Sequence, residues 1–306
     1  MARRPRLTLR QLEYLVAVAE TLNFRVAAER CHVSQPALSE QIRLLEEQLG
    51  VRLLERDSQR VALTAAGTQV LERARSVLGD VDGLVDAALG QGGPLCGPLA
   101  LGAIPTVAPY VLPGLLAAAR RAHPKLRLVL REARTATLVE ELRAGRLDAA
   151  ILALPVDAPG LSSVPLAEDP FLLAAPRGHR LAGKGPARLS ELRREEVLLL
   201  DEGHCLRDQA LALCAEAGAH ETEDVRATSL HTLVRLVAAG LGVTLLPALA
   251  RDEAAGERVQ LRPFREPAPG RTLALAWRTS SARAGDFLLL AETLRAALPE
   301  GVTARD

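Results

Sequence analysis

Apolar and polar positions follow a helical period through the first ninety residues. Leu12, Leu15, Val16 and Ala19 recur at intervals of three and four, the pattern breaks at Asn23-Phe24, and a second short run passes through Val26, Ala27 and Ala28 to Arg30. The chain then turns at Cys31-His32-Val33. Ser34 is a good N-cap, Pro36 fits a first turn where its missing N–H costs nothing, and Leu38, Ile42, Leu45 and Leu49 form an apolar stripe ending at Gly50. The opposite face carries Ser34, Gln35, Ser39 and Arg43. Two short helices joined by a tight turn, the second with polar donors at its start, match the helix-turn-helix pattern that reads the DNA major groove. An ordinary helical hairpin fits the same spacing.

From Thr64, a plausible N-cap, the apolar positions Val70, Ala74, Val77, Val81, Leu84 and Ala88 keep the alternating four-three rhythm of a two-helix seam. A helix packed on its own domain is the competing reading, and charges at Glu72, Arg73, Arg75, Asp80, Asp82 and Asp86 on the other faces favour the seam. Gly90-Gln-Gly-Gly-Pro94 reads as a hinge. Beyond it, short apolar runs alternate with amphipathic helices: Leu99 to Ile104, Arg127 to Arg131, Ala149 to Leu154, Phe171 to Ala175, Val197 to Leu200, Val243 to Leu246 and Leu273 to Trp277. That alternation predicts α/β layers with mostly parallel sheets, and its length suits two lobes with a cleft. Ligands of such sheets sit beyond the carboxyl ends of strands and at helix N-termini, where Thr106 and Thr135 fall.

A chain of 306 residues with 48% hydrophobic content forms more than one core, and its formal net charge of +1 excludes a polycation that coats nucleic acid. Basic surface must be local. Arg52, Arg56 and Arg60 surround the segment after Gly50 and suit phosphate contacts that fix a recognition helix in register. Residues 1 to 75 hold 12 arginines against 9 acids, an excess mild enough to call for a dimer. No apolar run reaches the ~18 residues that span a bilayer, and the Met1-Ala-Arg-Arg-Pro-Arg start leads into a polar-interrupted helix, so no membrane and a cytoplasmic location are expected. Four scattered cysteines make no disulfide scaffold, and His32 and His123 have no partners at metal-ligand spacing. Neither a metal nor a cofactor is expected.

The stretches Leu9 to Arg56 (LRQLEYLVAVAETLNFRVAAERCHVSQPALSEQIRLLEEQLGVRLLER), LTAAG at Leu63, AGRLDAAIL at Ala144 and VAAGLGVTLLPALA at Val237 together resemble the LysR-type transcriptional regulators over essentially the whole chain. The resemblance implies an α/β protein with an all-α, winged helix-turn-helix domain at residues 1 to 64 and a linker helix and hinge at 65 to 93. A two-lobed regulatory domain similar to periplasmic binding proteins follows at 94 to 306, lobe I about 94 to 167 with 272 to 306 and lobe II about 168 to 271. It also implies double-stranded operator DNA as partner, a homodimer through the linker helix and a homotetramer, with Ser34, Gln35, Pro36, Ser39 and Arg43 facing DNA. GHCLRDQALALC at Gly203 and ATSLHTL at Ala227 resemble the hydrogen-peroxide-sensing branch of that family. On that likeness Cys205 takes the peroxidatic and Cys214 the resolving position, and Thr106, Thr135, His204, Asp208 and Arg278 shape the peroxide pocket.

Elementary chemistry bears on the pair. A reactive thiol needs thiolate character, which a helix N-terminus or a cationic neighbour supplies. A helix from about Leu206 to Ala217, closed by Gly218, puts Cys205 at the positive end of the dipole, with His204 and Arg207 as candidate cations and Asp201 and Glu202 opposing. Thr106, Thr135 and Asp208 are candidates to relay a proton to the departing peroxide oxygen, with His204 as orienter. Nine residues of helix rise ~13.5 Å, whereas a disulfide brings Cα atoms to roughly 4.4 to 6.8 Å. The bond that the resemblance implies therefore requires the segment to unwind.

Three functions remain in view: a peroxide-sensing regulator, a metabolite-responsive regulator of the same family with incidental thiols and a small effector held by backbone N–H groups and Thr106, and a thiol enzyme. Two cysteines on an amphipathic helix also make ordinary core fillers. No C-x-x-C or other catalytic motif supports the enzyme.

Overall fold

Thr8 opens the first helix, α1 (Leu9–Thr21), through a reciprocal capping box in which the Thr8 hydroxyl accepts from the Gln11 N–H and the Gln11 side chain accepts from the Thr8 N–H. The computed structural model describes residues 7 to 56, 61 to 89 and 94 to 305, less the side chains of Arg56, Ser76, Asp80, residues 82 to 89, Glu223 and Asp224. Arg60 and most of the expected hinge at 90 to 94 lie outside the described residues. The chain forms two compact units, the first made of residues 1 to 91 with 143 to 146 and the second of 92 to 142 with 147 to 306.

In the first unit Asn23 caps α2 (Phe24–Arg30), and Ser34 Oγ accepts from the Ala37 N–H to cap α3 (Gln35–Leu49), which ends on left-handed Gly50. A two-stranded antiparallel hairpin follows, β1 (Leu54–Arg56) against β2 (Val61–Leu63), held to α3 by the Glu46 carboxylate, which accepts from the Leu53 and Leu54 N–H groups. Thr64 Oγ1 accepts from the Gly67 N–H at 2.8 Å and starts α4 (Ala65–Leu89). Gly67 permits the closest approach here: a Cβ would stand 1.9 Å from the Leu53 carbonyl oxygen.

Leu15, Val18, Leu38, Ile42, Leu45 and Leu53 build the head's core, and Leu71 and Ala74 of α4 complete it. This corrects part of the seam reading. Ala74 is taken by the chain's own core and Val70 packs beside it, because the first turns of α4 cover α1. Val77 is 43% exposed and Val81 half-buried, while the Leu84 and Ala88 side chains lie outside the described residues.

The second unit runs β3 (Gly97–Ala103), α5 (Ala108–Ala122), β4 (Leu126–Glu132), α6 (Thr135–Arg143), β5 (Ala149–Ala153) and β6 (Leu161–Pro176). It continues with β7 (Glu196–Leu200), α7 (Cys205–Ala217), β8 (His220–Ala227), α8 (Leu230–Ala238), β9 (Thr244–Pro247), β10 (Val259–Pro263), β11 (Gly270–Arg278), α9 (Ala284–Arg295) and β12 (Thr303–Ala304). The main sheet has the order β10-β6-β11-β5-β3-β4, with β9 and β12 also on β6.

Only β3 with β4 and β3 with β5 are parallel in that sheet, whereas β11 with β5 and all four pairings of β6 are antiparallel. The expectation of mostly parallel pairing is therefore wrong for the main sheet. The cause is β6: its first part pairs with β11 and its last six residues with β9 and β10, so one long strand and its antiparallel return carry the chain between two hydrophobic cores. One core gathers Leu99, Leu101, Leu115, Ile151, Phe287 and Leu290. The other gathers Phe171, Leu173, Val197, Leu198, Val234, Val237 and Leu245, with Leu206, Ala210 and Cys214 from α7.

Candidate functional site

Cys205 is the first residue of α7, with His204 at the N-cap and left-handed Gly218 closing the far end. Its thiol is half-buried and lies where the free N–H groups of the first turn point. Two loops meet it: Ile104, Pro105 and Thr106 after β3, and Arg134 and Thr135 at the start of α6. With Gly203, His204 and Cys205 they line a narrow crevice. Thr106, Thr135, His204 and Cys205, all expected in one site, stand together in it.

Thr106 is buried, and its Oγ1 accepts from Arg271 Nη1 at 2.8 Å while its carbonyl accepts from Arg271 Nη2 at 3.1 Å. Arg271 Nε in turn donates to Asp169 Oδ2 at 2.9 Å. Thr135 Oγ1 is buried with no hydrogen-bond partner among the described residues. An orphaned hydroxyl costs about 1 to 3 kcal/mol of desolvation. Placed in this crevice, it points to a small polar guest.

Arg278, expected in the pocket, is not there: its Nη1 donates to the Leu142 and Leu147 carbonyls at 2.5 and 2.8 Å. The expectation came from the family resemblance; here β11 extends through Arg278, and its guanidinium serves the turn that follows α6. Arg271, at the other end of β11, is the arginine that reaches Thr106, and sequence reasoning missed it. A buried ion pair leaves no mark on hydrophobic periodicity; the one available signal was a charge next to Gly270 inside an apolar strand. Asp208 is exposed in the first turn of α7 and does not line the crevice.

The charges around Cys205 are arranged differently from the sequence expectation. Burial, then the nearby Arg134, pushes the His204 imidazole down against a weaker upward pull from Asp201, so it is neutral at pH 7 and orients without supplying charge. Arg207 turns to Glu221 of β8 in a bidentate pair at 2.6 and 3.1 Å. Asp201 faces Arg134 at 3.6 Å and Glu202 faces Arg226 at 3.4 Å, so both opposing carboxylates end on guanidiniums. Arg134, unremarked in the sequence, is the cation that lines the crevice.

Cys214 lies in the core at 3% exposure, nine residues of intact helix from Cys205. Burial, reinforced by Glu221, pushes its thiol up to about 11. Reduced protein at pH 8 should alkylate at Cys205 and spare Cys214; equal labelling by iodoacetamide would mean that α7 opens freely. Because the unfolded thiol releases its proton near 9.0 and the folded one near 11, the unfolded state gains in that window. The Cys214 contribution to stability should fall there by ~2 to 3 kcal/mol as pH rises, and C214A should make the slope shallower by that share in urea titrations. Cys31 packs beside the head core and Cys96 is half-buried.

In the head, Ser34, Gln35, Pro36 and Arg43 are exposed and Ser39 half-buried on one side of α3, with Arg52 exposed nearby. Arg43 Nε and Nη2 donate to Glu40 at 2.8 and 2.6 Å, and Nη1 donates to Glu47. The Arg56 side chain lies outside the described residues.

The description "Bacterial regulatory helix-turn-helix protein, lysR family" matches residues 9 to 68, and "LysR substrate binding domain" matches residues 92 to 299. The chain belongs to the LysR family. Within it the chain falls in the OxyR branch of hydrogen peroxide-inducible activators. The hydrogen peroxide-inducible genes activator of Dickeya chrysanthemi is 47% identical over 290 residues, 94% of this chain and 95% of that one. A full-length OxyR variant from Pseudomonas aeruginosa is similar at TM-score 0.81 and 39% identity, covering 95% of each chain. A hydrogen-peroxide-bound OxyR mutant from Corynebacterium glutamicum is similar at TM-score 0.67 and 38% identity, covering 96% of this chain and 94% of that one. No described helix is long and apolar enough to cross a membrane.

Proposed function

We propose that this chain is a hydrogen-peroxide-responsive transcriptional regulator that works in the cytoplasm as a stoichiometric two-thiol sensor. The observation that carries this reading is the orphaned Thr135 hydroxyl in a crevice shared with Cys205 and Thr106. The crevice is far tighter than the ~300 Å³ pockets that hold ordinary metabolites. A carboxylate effector is therefore a poor fit.

The Cys205 sulfur attacks one oxygen of hydrogen peroxide, forming S–O and breaking O–O. The electron pair leaves with the second oxygen, which takes a proton from solvent and departs as water. Thr106 and Thr135 donate hydrogen bonds where that negative charge develops. Cys214 then attacks the sulfenic acid, the S–S bond forms, and a second water leaves. Overall two thiols are oxidised and one peroxide is reduced to two waters. Because both cysteines lie on one helix, the disulfide requires α7 to unwind between them. Cys214 then leaves its core position.

The domain plan that this reading adopts is a DNA-binding domain at 1 to 64, a linker helix at 65 to 93 that pairs two chains, and a two-lobed sensor at 94 to 306. Its lobes, similar to those of periplasmic binding proteins, divide near 168 and 271, and two dimers make a tetramer. Ser34, Gln35, Pro36, Ser39 and Arg43 contact operator DNA, with Arg52 and Arg56 on phosphates. Arg43 must exchange Glu40 and Glu47 for a phosphate or base. R43A should weaken operator binding and reduce the slope of log affinity against log salt by about one, measured by fluorescence anisotropy in a potassium chloride series.

The experiment that tests the function is thiol mapping by mass spectrometry after one equivalent of hydrogen peroxide, with operator binding followed in parallel. The expected result is a Cys205 to Cys214 disulfide and altered binding in the wild type, and a Cys205 sulfenic acid with unaltered binding in C214S. Unmodified thiols under peroxide would remove the sensor reading.

A further inference from the structure

Asp169 of β6 and Arg271 of β11 are direct cross-strand partners, and both side chains are fully buried. They sit where β6 passes from pairing with β11 to pairing with β9 and β10. The carboxylate is held at both oxygens: Oδ1 accepts from the Leu249 N–H at 3.1 Å and Oδ2 from Arg271 Nε at 2.9 Å. With Nε committed, the guanidinium can turn only Nη1 and Nη2 toward Thr106, where they meet its hydroxyl and its carbonyl. A hydroxyl carries one proton and two lone pairs. Arg271 occupies a lone pair, so the Thr106 proton is left to donate, and no acceptor takes it among the described residues. A charge-assisted bond to the oxygen also makes that proton a stronger donor.

We infer that Asp169, which does not line the crevice, is a positioning residue for peroxide reduction: by fixing Arg271 it aims and polarises the Thr106 hydroxyl toward the departing peroxide oxygen. The inference rests on the proposed reaction at Cys205. Without the carboxylate, Arg271 becomes a buried cation with a free rotation, and Thr106 loses both its orientation and its polarisation. Attack by Cys205 on an electrophile with no departing oxygen does not use Thr106. Asp169 therefore matters for peroxide and not for simple alkylation.

Two rates on the full-length reduced protein test this: Cys205 oxidation by hydrogen peroxide and Cys205 alkylation by N-ethylmaleimide, each in the wild type, D169N, T106V, T106S and D169N/T106V. The expected result is that D169N slows the peroxide reaction about tenfold or more, leaves alkylation unchanged, and adds nothing in the T106V background. T106S, which keeps the hydroxyl, retains the wild-type rate. An unaltered peroxide rate in D169N, or equal losses in both reactions, overturns the inference while leaving the sensor intact. Peroxide-resistant Cys205 in the wild type overturns the sensor reading, and the inference with it. Should D169N not fold, D169L/R271M, which removes both charges together, decides: slow peroxide oxidation with normal alkylation supports the inference, and a wild-type rate overturns it.

Discussion

Thr135→Val should slow oxidation of Cys205 by hydrogen peroxide roughly 100-fold while leaving the fold as stable as before or more so. The two halves of this result have one cause. Valine matches threonine in shape, and the hydroxyl it removes has no partner among the described residues, so folding loses no hydrogen bond and sheds a desolvation cost. The hydroxyl finds its use only when charge grows on the departing oxygen, and a donor realised only in the transition state appears wholly in rate. Stopped-flow oxidation beside urea unfolding measures both. A slow reaction in a destabilised protein would instead mean that Thr135 is a cap for α6, and an unchanged rate would mean that the peroxide reacts elsewhere.

The second large effect concerns the equilibrium. Arg207 and Glu221 form a largely buried, bidentate pair that ties the first turn of α7 to β8, and Arg207 lies inside the segment that must unwind for the disulfide to form. Replacing Arg207 by methionine keeps the apolar stem but removes the pair, destabilising the reduced, helical form by about 2 kcal/mol. Reduction then becomes less favourable, so the midpoint potential of the Cys205–Cys214 couple should move more negative by ~40 mV. Equilibration in thiol–disulfide buffers followed by mass mapping measures the shift. A midpoint at the wild-type value would mean that the pair survives oxidation and that α7 opens only beyond Arg207.

Helix boundaries in the head were legible because each was marked locally: Asn23-Phe24 as a break in the period, Ser34 as a cap, Gly50 as a stop, and an apolar stripe of regular period. The start of α7 was legible for the same reason, with Gly218 at its end. The long strand β6 was not. Its polar beginning and the Asp169-Pro170 pair broke the apolar run, so only Phe171 to Ala175 was visible, and the mostly parallel sheet was expected because the antiparallel return could not be seen. The charged strand β8 went unnoticed because its partners, not its residues, make it a strand.

The site divides along the same line. The sequence by itself determined which chemistry is available: two thiols nine residues apart on a capped helix, threonines after strand ends and a recognition face of polar residues, each marked by short-range rules of spacing, capping and side-chain type. Only the tertiary structure decided which charges act there. It turned Arg207 to Glu221, Arg278 to the Leu142 and Leu147 carbonyls and Arg271 to Thr106, kept His204 neutral, and left Thr135 without a partner among the described residues. The physical reason is range. Caps and periodicity act within a few residues, whereas a buried ion or hydroxyl is satisfied by whatever the packed sheet brings within 3 Å, and Arg271 and Thr106 are 165 residues apart in the chain.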